Sequence, residues 1–183
     1  MNQMRLIIFG LCLIFSLGIH AQKLPSEFIF QKVPFASSHA STIVETPKGL
    51  VSAFFAGSDE GNKDVGIWLS RNIQGRWTPP VQVADGIQNK KVQYPCWNPV
   101  LFQMPQGELL LFYKVGPKPS QWWGMLKRSK DAGLTWSAAE KLPNGLCTKT
   151  CKPLFKVMAS LPEFGFFKLV FCKGVQVFPR SEE

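Results

Sequence analysis

Beyond residue 21 the chain carries a single histidine, His39. Imidazole titrates near neutrality, which makes it the residue type best suited to take a proton from carbon at physiological pH. A neighbouring amide or ammonium stabilises the enolate-like charge that this step leaves on a carboxylate-bearing substrate, and Asn98 and Lys114 are of those two types. The loop from Asp59-Glu60 to Asp64 supplies the acids, with Glu60 and Asp64 as the candidates for proton transfer beside His39. The chemistry these residue types describe is β-elimination from a uronate. Trp97, Trp122 and Trp123 have flat apolar faces that match the C–H surface of a pyranose ring. Trp97, Asn98, Lys114 and Trp122 are therefore the candidate substrate contacts. Each residue also has a structural reading. His39 could be a hydrogen-bonded strand residue, Glu60 and Asp64 ordinary acids of a polar loop, the tryptophans packing between layers, and Lys114 a strand-end cation turned to solvent.

A repeat supplies the elements that must position these residues. Shifting the chain by 58 to 59 positions lays Thr46-Pro47-Lys48-Gly49 on Met104-Pro105-Gln106-Gly107, the apolar run Leu50 to Ala56 on Leu109 to Val115, and Gly57 on Gly116. It also lays Ser70 to Trp77 on Ser129 to Trp136. Within each unit, short β-rich runs are separated by Gly, Pro, Asn or Asp, the pattern of an antiparallel meander. The first unit predicts strands near Ser41–Glu45, Leu50–Ala56, Val65–Ser70 and Pro80–Ala84. The second predicts them near Pro99–Gln103, Leu109–Val115, Trp123–Ser129 and Ala139–Leu142. Glu27 to Val33 alternates like a further strand. Four strands per unit, with a hairpin between the third and fourth, make a propeller blade. The expected fold is all-β, an incomplete β-propeller of about two four-stranded antiparallel blades with an irregular C-terminal tail.

The run Ser129-x-Asp131-x-Gly133-x-Thr135-Trp136 is an Asp-box, and from about Phe35 to Gly145 the chain resembles the sialidase-type (BNR/Asp-box repeat) β-propeller superfamily. The motif's chemistry is structural: a short acid accepts hydrogen bonds from turn amides, Gly133 takes a positive φ, and Trp136 packs into the blade. Ser70 to Trp77 reads as a degenerate copy with Asn72 in place of the acid, and Trp77 and Trp136 are expected in the core. The resemblance implies a substrate site at one end of the central axis, and at three matched positions the chain departs from the sialidase pattern. His39 stands where an arginine is expected, Ser58 follows Ala56-Gly57 where a second is expected, and Asn98 precedes Pro99 where an acid/base aspartate is expected. An imidazole cannot reproduce a bidentate carboxylate grip, and an amide cannot carry the catalytic proton. The strings His-Ala-Ser-Thr, Gly-Ile-Trp-Leu-Ser and Pro-Cys-Trp-Asn-Pro look like a sialidase-related group of glycan-active propellers that includes uronate lyases. The implied partner is a glycan or oligosaccharide, with a uronate-containing one as a candidate.

Composition bounds the rest. With 183 residues, 13% aromatics, 15 Gly and 14 Pro, the chain fits one turn-rich globular domain and neither a disordered chain nor a coiled coil. The net charge of +9 is spread over scattered lysines without a nucleic-acid motif, which points to a solvated face and to no nucleic-acid binding. Residues 1–21 read as a secretory signal, with Arg5 before the apolar run Leu6 to Ile19 and a cut after Ala21. The run is too short for a stable membrane span. The expected location is secreted or periplasmic. Cys147 and Cys151, with no histidine nearby, make a poor zinc signature. No metal or cofactor is implied.

After Gly145 the blade grammar ends. Residues 146–183 hold six of the fifteen phenylalanines and neither Asp nor Trp. The expected organisation is thus a signal peptide at 1–21, propeller blades at 22–145 and a non-family tail at 146–183, as in a truncated or frameshifted product. In sialidases the nucleophilic tyrosine and its glutamate partner lie in later blades. The function expected is that of an inactive fragment of an exported carbohydrate-active protein, its parent an exo-glycosidase-type enzyme or a uronate lyase. The alternative is a non-catalytic glycan-binding module.

Overall fold

The computed structural model describes residues 27–144. The expected signal peptide and tail, with Cys12, Cys147, Cys151 and Cys172, lie outside the described residues. The first sheet contains β1 (Ser37–Thr46), β2 (Gly49–Gly57), β3 (Gly66–Ile73), a two-residue β4 (Arg76–Trp77) and β5 (Val81–Ala84), which pairs with β3. A small separate ribbon follows, β6 (Ile87–Asn89) and β7 (Val92–Gln93). The second sheet runs in the order β11-β10-β9-β8, from β8 (Cys96–Gln103), β9 (Leu109–Val115), β10 (Trp123–Ser129) and β11 (Glu140–Lys141). All pairings are antiparallel and neither sheet closes, so the two units are two blades of an incomplete propeller. Among the described residues the only helical piece is a 3-10 turn at Pro119–Gln121.

Period-two alternation fixes which blade face is buried against what. On β2, Val51, Ala53 and Phe55 face the second blade, where they meet Leu101, Leu109, Leu111, Tyr113 and Val115 in the largest buried cluster. Phe54 and Ala56 point the other way and are covered by Phe35, with Phe30, Val33 and Trp68 packed against them. On β9 the same alternation sends Leu110 and Phe112 to a third cluster with Phe102 and Leu126. Both central strands are therefore buried on two faces, which is why they read as continuous apolar runs. Lys127 ties the blades by donating to the Val83 carbonyl at 2.7 Å, and burial, partly opposed by the charge of Asp85, lowers its pKa. Cys96 is a buried free thiol, pushed up by burial and then by Asp85, so it stays protonated and unreactive.

Two expectations are corrected. Glu27 to Val33 forms no strand, because no described strand lies beside it to pair with. Its side chains are used instead: Phe30 and Val33 pack on the Phe54 cluster, and Glu27 accepts the Trp77 indole N–H at 2.9 Å. Trp77 is accordingly half-buried and belongs to none of the buried clusters, whereas Trp136 packs against the core between the blades.

The Asp-box explains this difference between the units. Asp131 Oδ1 accepts the amides of Leu134 and Thr135 at 3.0 and 2.9 Å, and its Oδ2 accepts the Thr135 hydroxyl at 2.5 Å. Ser129 Oγ donates to Asp131 at 2.8 Å and accepts the Gly133 amide at 2.8 Å. Ala132 and Gly133 have φ of 62° and 84°, and a Cβ at Gly133 would lie 3.6 Å from Leu69 of the other blade. In the first unit the positive-φ pair is Gln74-Gly75, the tip of a tight β3–β4 hairpin, and the buried Ser70 Oγ has no hydrogen-bond partner among the described residues. Asn72 pairs in the ladder instead of organising a turn.

Hydrogen bonds from the Thr135 side chain and amide, then from Ser129, hold the Asp131 carboxyl well below the usual aspartate range. A depressed folded-state pKa gives stability that is present above the unfolded value of about 3.9 and is lost as pH falls toward the folded value. Asp131→Asn is therefore expected to be less stable than the parent at pH 7, with a gap that narrows steadily below about pH 4. Urea denaturation at neutral and acid pH checks this. A gap that stays constant would mean that the charge of Asp131 has no part in the lock.

Candidate functional site

Strand register sorts the connections onto two ends of the blades. Ser37 pairs with Gly57, Ala56 with Gly66, Ile67 with Ala84, and Val115 with both Cys96 and Trp123. One end therefore collects the start of β1, the loop 58–65, the linker 85–95, the start of β8 and the loop 116–122. The Thr46–Gly49 and Gln103–Leu109 turns, the Gln74-Gly75 tip and the Asp-box lie at the other end. All seven candidate residues, His39, Glu60, Asp64, Trp97, Asn98, Lys114 and Trp122, fall at the first end. Asp131 falls at the other.

The two innermost strands present their side chains by the same device. β1 has a register shift between His39 and Thr42 with Ala40 at φ 51°, and β8 has one between Trp97 and Val100 with Asn98 at φ 41°. The left-handed residues are 58 positions apart in the sequence, matching the repeat. Each is a bulge that carries one extra residue and re-aims the side chain before it. Asparagine visits this region readily and alanine does not, so the Ala40 bulge is the more strained of the two. Asn98 is thus a backbone element as well as a candidate amide.

The bulges place His39 opposite Phe55 and Trp97 opposite Lys114. A continuous row results. The His39 and Phe55 rings are 5.6 Å apart, Phe55 and Trp97 5.8 Å, Trp97 and Trp122 5.0 Å, and Lys114 Nζ lies 4.6 Å from the Trp122 ring centroid. His39 is exposed and hydrogen-bonds through Nε2 to Ser37 Oγ at 2.8 Å. Trp97 is 8% exposed and donates its indole N–H to the Gly116 carbonyl at 2.9 Å, so it is a wall that supports Trp122. The half-buried Trp122 has a buried indole N–H without a hydrogen-bond acceptor among the described residues. Lys114 is 3% exposed, which overturns the solvent-directed reading; its ammonium packs on Trp122 as a cation on a π face.

The two acids stand apart from this row. Asp64 accepts the Ser58 amide at 2.7 Å and the Ser58 hydroxyl at 2.8 Å, while Asn62 donates to Ser58 Oγ at 3.0 Å. Slight burial raises the Asp64 pKa, but the Ser58 hydrogen bonds outweigh it and hold the carboxyl below its ordinary range. Asp64 is a loop lock. Glu60 is exposed, and neither acid hydrogen-bonds or ion-pairs with His39. The loop still reaches the row, since a Cβ at Gly61 would touch Trp97 at 3.6 Å. Sequence reasoning missed Phe55, Ser37 and Gly116. The repeat held a clue to the first, because the 59-residue shift sets Phe55 on Lys114.

Residues 48–158 match the BNR repeat-like domain, more than half of the chain. The chain belongs to this family. The BNR repeat-like blades are similar in fold to a Hadza microbial sialidase, at 17% identity and a TM-score of 0.51, over 61% of this chain and 26% of that one. A protein of unknown function from Dyadobacter fermentans matches at 17% identity and a TM-score of 0.49, over 63% of this chain and 39% of that one. An alpha-L-arabinofuranosidase from Lactobacillus brevis matches at 16% identity and a TM-score of 0.47, over 61% and 36%. The chain thus spans between about a quarter and two fifths of the length of these structures. No curated protein matches the sequence. Among the described residues no group of His, Cys, Asp and Glu is arranged to hold a metal ion, and no helix is long and apolar enough to cross a membrane.

Proposed function

We propose that the end carrying His39, Trp97, Trp122 and Lys114 is the glycan-binding end of an exported carbohydrate-active protein, with uronate-containing glycans as its preferred ligands. The observation that carries this reading is the row from His39 to Lys114, in which the exposed imidazole of His39 and the half-buried ring of Trp122 are backed by the buried Phe55, Trp97 and Lys114. In a lyase built on this end, His39 takes the proton from the carbon next to the uronate carboxyl. The C–O bond to the leaving sugar breaks, the electrons form the C=C bond, and solvent returns a proton to the leaving oxygen. When Nε2 donates to Ser37, Nδ1 is the basic atom.

The separation of Glu60 and Asp64 from His39 favours a second reading, a non-catalytic glycan-binding module. A hydrolase of the paired-acid kind needs two facing carboxyls, and Asp64 is committed to Ser58. Titration of the full chain with galacturonate and neutral oligosaccharides, alongside ultraviolet absorbance of any unsaturated product, separates the cases. Galacturonate oligosaccharides are expected to bind, and Trp122→Ala to weaken binding by about tenfold, a loss of about 1.4 kcal/mol. Binding without product selects the module, and product formed by wild type but not by His39→Gln selects the lyase. If no oligosaccharide binds, or if Trp122→Ala binds as wild type does, the reading fails.

A further inference from the structure

The β6–β7 ribbon belongs to neither blade sheet, every residue of β6 is exposed, and the ribbon contributes no side chain to any buried cluster. The blades have no need of it as a connection. Ala84 pairs with Ile67, and the Cys96 amide bonds to the Val65 carbonyl at 2.9 Å, so both ends of the linker already stand side by side. The ribbon is nevertheless firmly built. Asp85 Oδ1 accepts the Ile87 amide at 3.1 Å, the Tyr94 amide bonds to the Gly86 carbonyl at 3.0 Å, and Asn89 Oδ1 accepts the amides of Lys91 and Val92 at 2.9 and 3.1 Å. At its foot Tyr94 meets Trp123 edge-on at 5.8 Å, and Trp123 adjoins Trp122. At its tip are two consecutive exposed cations, Lys90 and Lys91, that form no ion pair among the described residues.

A hydrogen-bonded ribbon rooted beside Trp122 and holding two exposed cations out from the same end is suited to a ligand too long for the row alone. We propose that the β6–β7 hairpin is a second binding element, in which Lys90 and Lys91 take carboxylate or sulfate groups of an acidic polysaccharide at sugars beyond the one held at Trp122. This rests on the glycan-binding reading of that end. The lysines act as point charges on a flexible stem, which tolerates either anion and any register along the polymer.

The test compares the wild-type full chain with Lys90→Ala/Lys91→Ala and with Trp122→Ala. The probes are polygalacturonate, dextran sulfate, neutral galactan and a galacturonate disaccharide. The lysine pair is expected to matter only for charged polymers, where its loss weakens binding by about five- to tenfold at low salt. The difference should vanish near 1 M salt, where the Debye length is about 3 Å. Lys90→Arg/Lys91→Arg should restore affinity. A loss on polygalacturonate alone assigns carboxylates, and a loss on dextran sulfate alone assigns sulfates. Unchanged polymer binding in the lysine variant, with Trp122→Ala still weakened, overturns the hairpin's role and leaves the glycan end standing. Equal weakening on the disaccharide also overturns it, because the lysines would then belong to the first sugar's site. If wild type binds none of the four, both readings fall together.

Discussion

Phe54→Ala is expected to destabilise the protein by about 3–5 kcal/mol, the range for removing a fully buried aromatic from a packed core. Phe54 is 0% exposed and sits against Phe30 and Phe35 at ring distances of 5.2 and 5.7 Å. These contacts attach residues 27–35 to the first blade, since no strand among the described residues pairs with that segment. The substitution should therefore loosen this segment before the blades themselves. Urea denaturation combined with limited proteolysis reads both effects. Early cleavage between Glu27 and Phe35, together with the lowered midpoint, is the expected result. A loss below about 1 kcal/mol would mean that the segment is not packed as described.

Leu111→Ala attacks the other face of the fold and is expected to cost about 2–5 kcal/mol. Leu111 is 0% exposed in the cluster between the blades, directly opposite Leu101 on one side and Lys127 on the other. A cavity there removes packing shared by both sheets, so hydrogen exchange should rise together in β2, β8 and β9 without the early cleavage between Glu27 and Phe35 expected of Phe54→Ala. The pair of variants thus separates two cores that share strand β2. If both gave the same exchange pattern, the two blades and the N-terminal segment would unfold as one unit.

Most of the blade architecture was legible because its strands are buried on both faces or bounded by turn residues. The runs at Leu50–Ala56 and Leu109–Val115 differ from observed β2 and β9 by two residues at most. The Asp-box was legible because a short acid, a glycine and a hydroxyl at fixed spacing have few other uses. What escaped sequence reasoning depends on tertiary partners. Glu27 to Val33 alternates as a strand should, yet pairing needs a neighbour, and its aromatic side chains found a better use on Phe54. Lys114 closes an apolar run, a position that reads as solvent-facing until the Trp122 ring is brought over it. The ribbon at 87–93 is polar and short, so no periodicity marks it.

The site residues were legible in a particular sense. His39, Trp97, Lys114 and Trp122 do come together, because the repeat places two of them on equivalent positions of successive inner strands. Glu60 and Asp64 share the end but not the row, and nothing in their spacing could reveal that Ser58 would claim Asp64. Chemical type grouped the candidates at one end of the blades more faithfully than it predicted partnership among them.

The bulges at Ala40 and Asn98 bear on how such a protein can diversify. Each repeat unit brings its own bulge seat, occupied by an exposed imidazole in one blade and by a buried indole in the next. Because the seat is made by backbone geometry, its occupant can be exchanged by a point mutation while the strand pairing beneath stays intact. Duplication of such a unit adds one independently mutable side chain to a common rim. A lineage of these repeats can therefore vary the side chains at this end blade by blade, with the scaffold inherited unchanged.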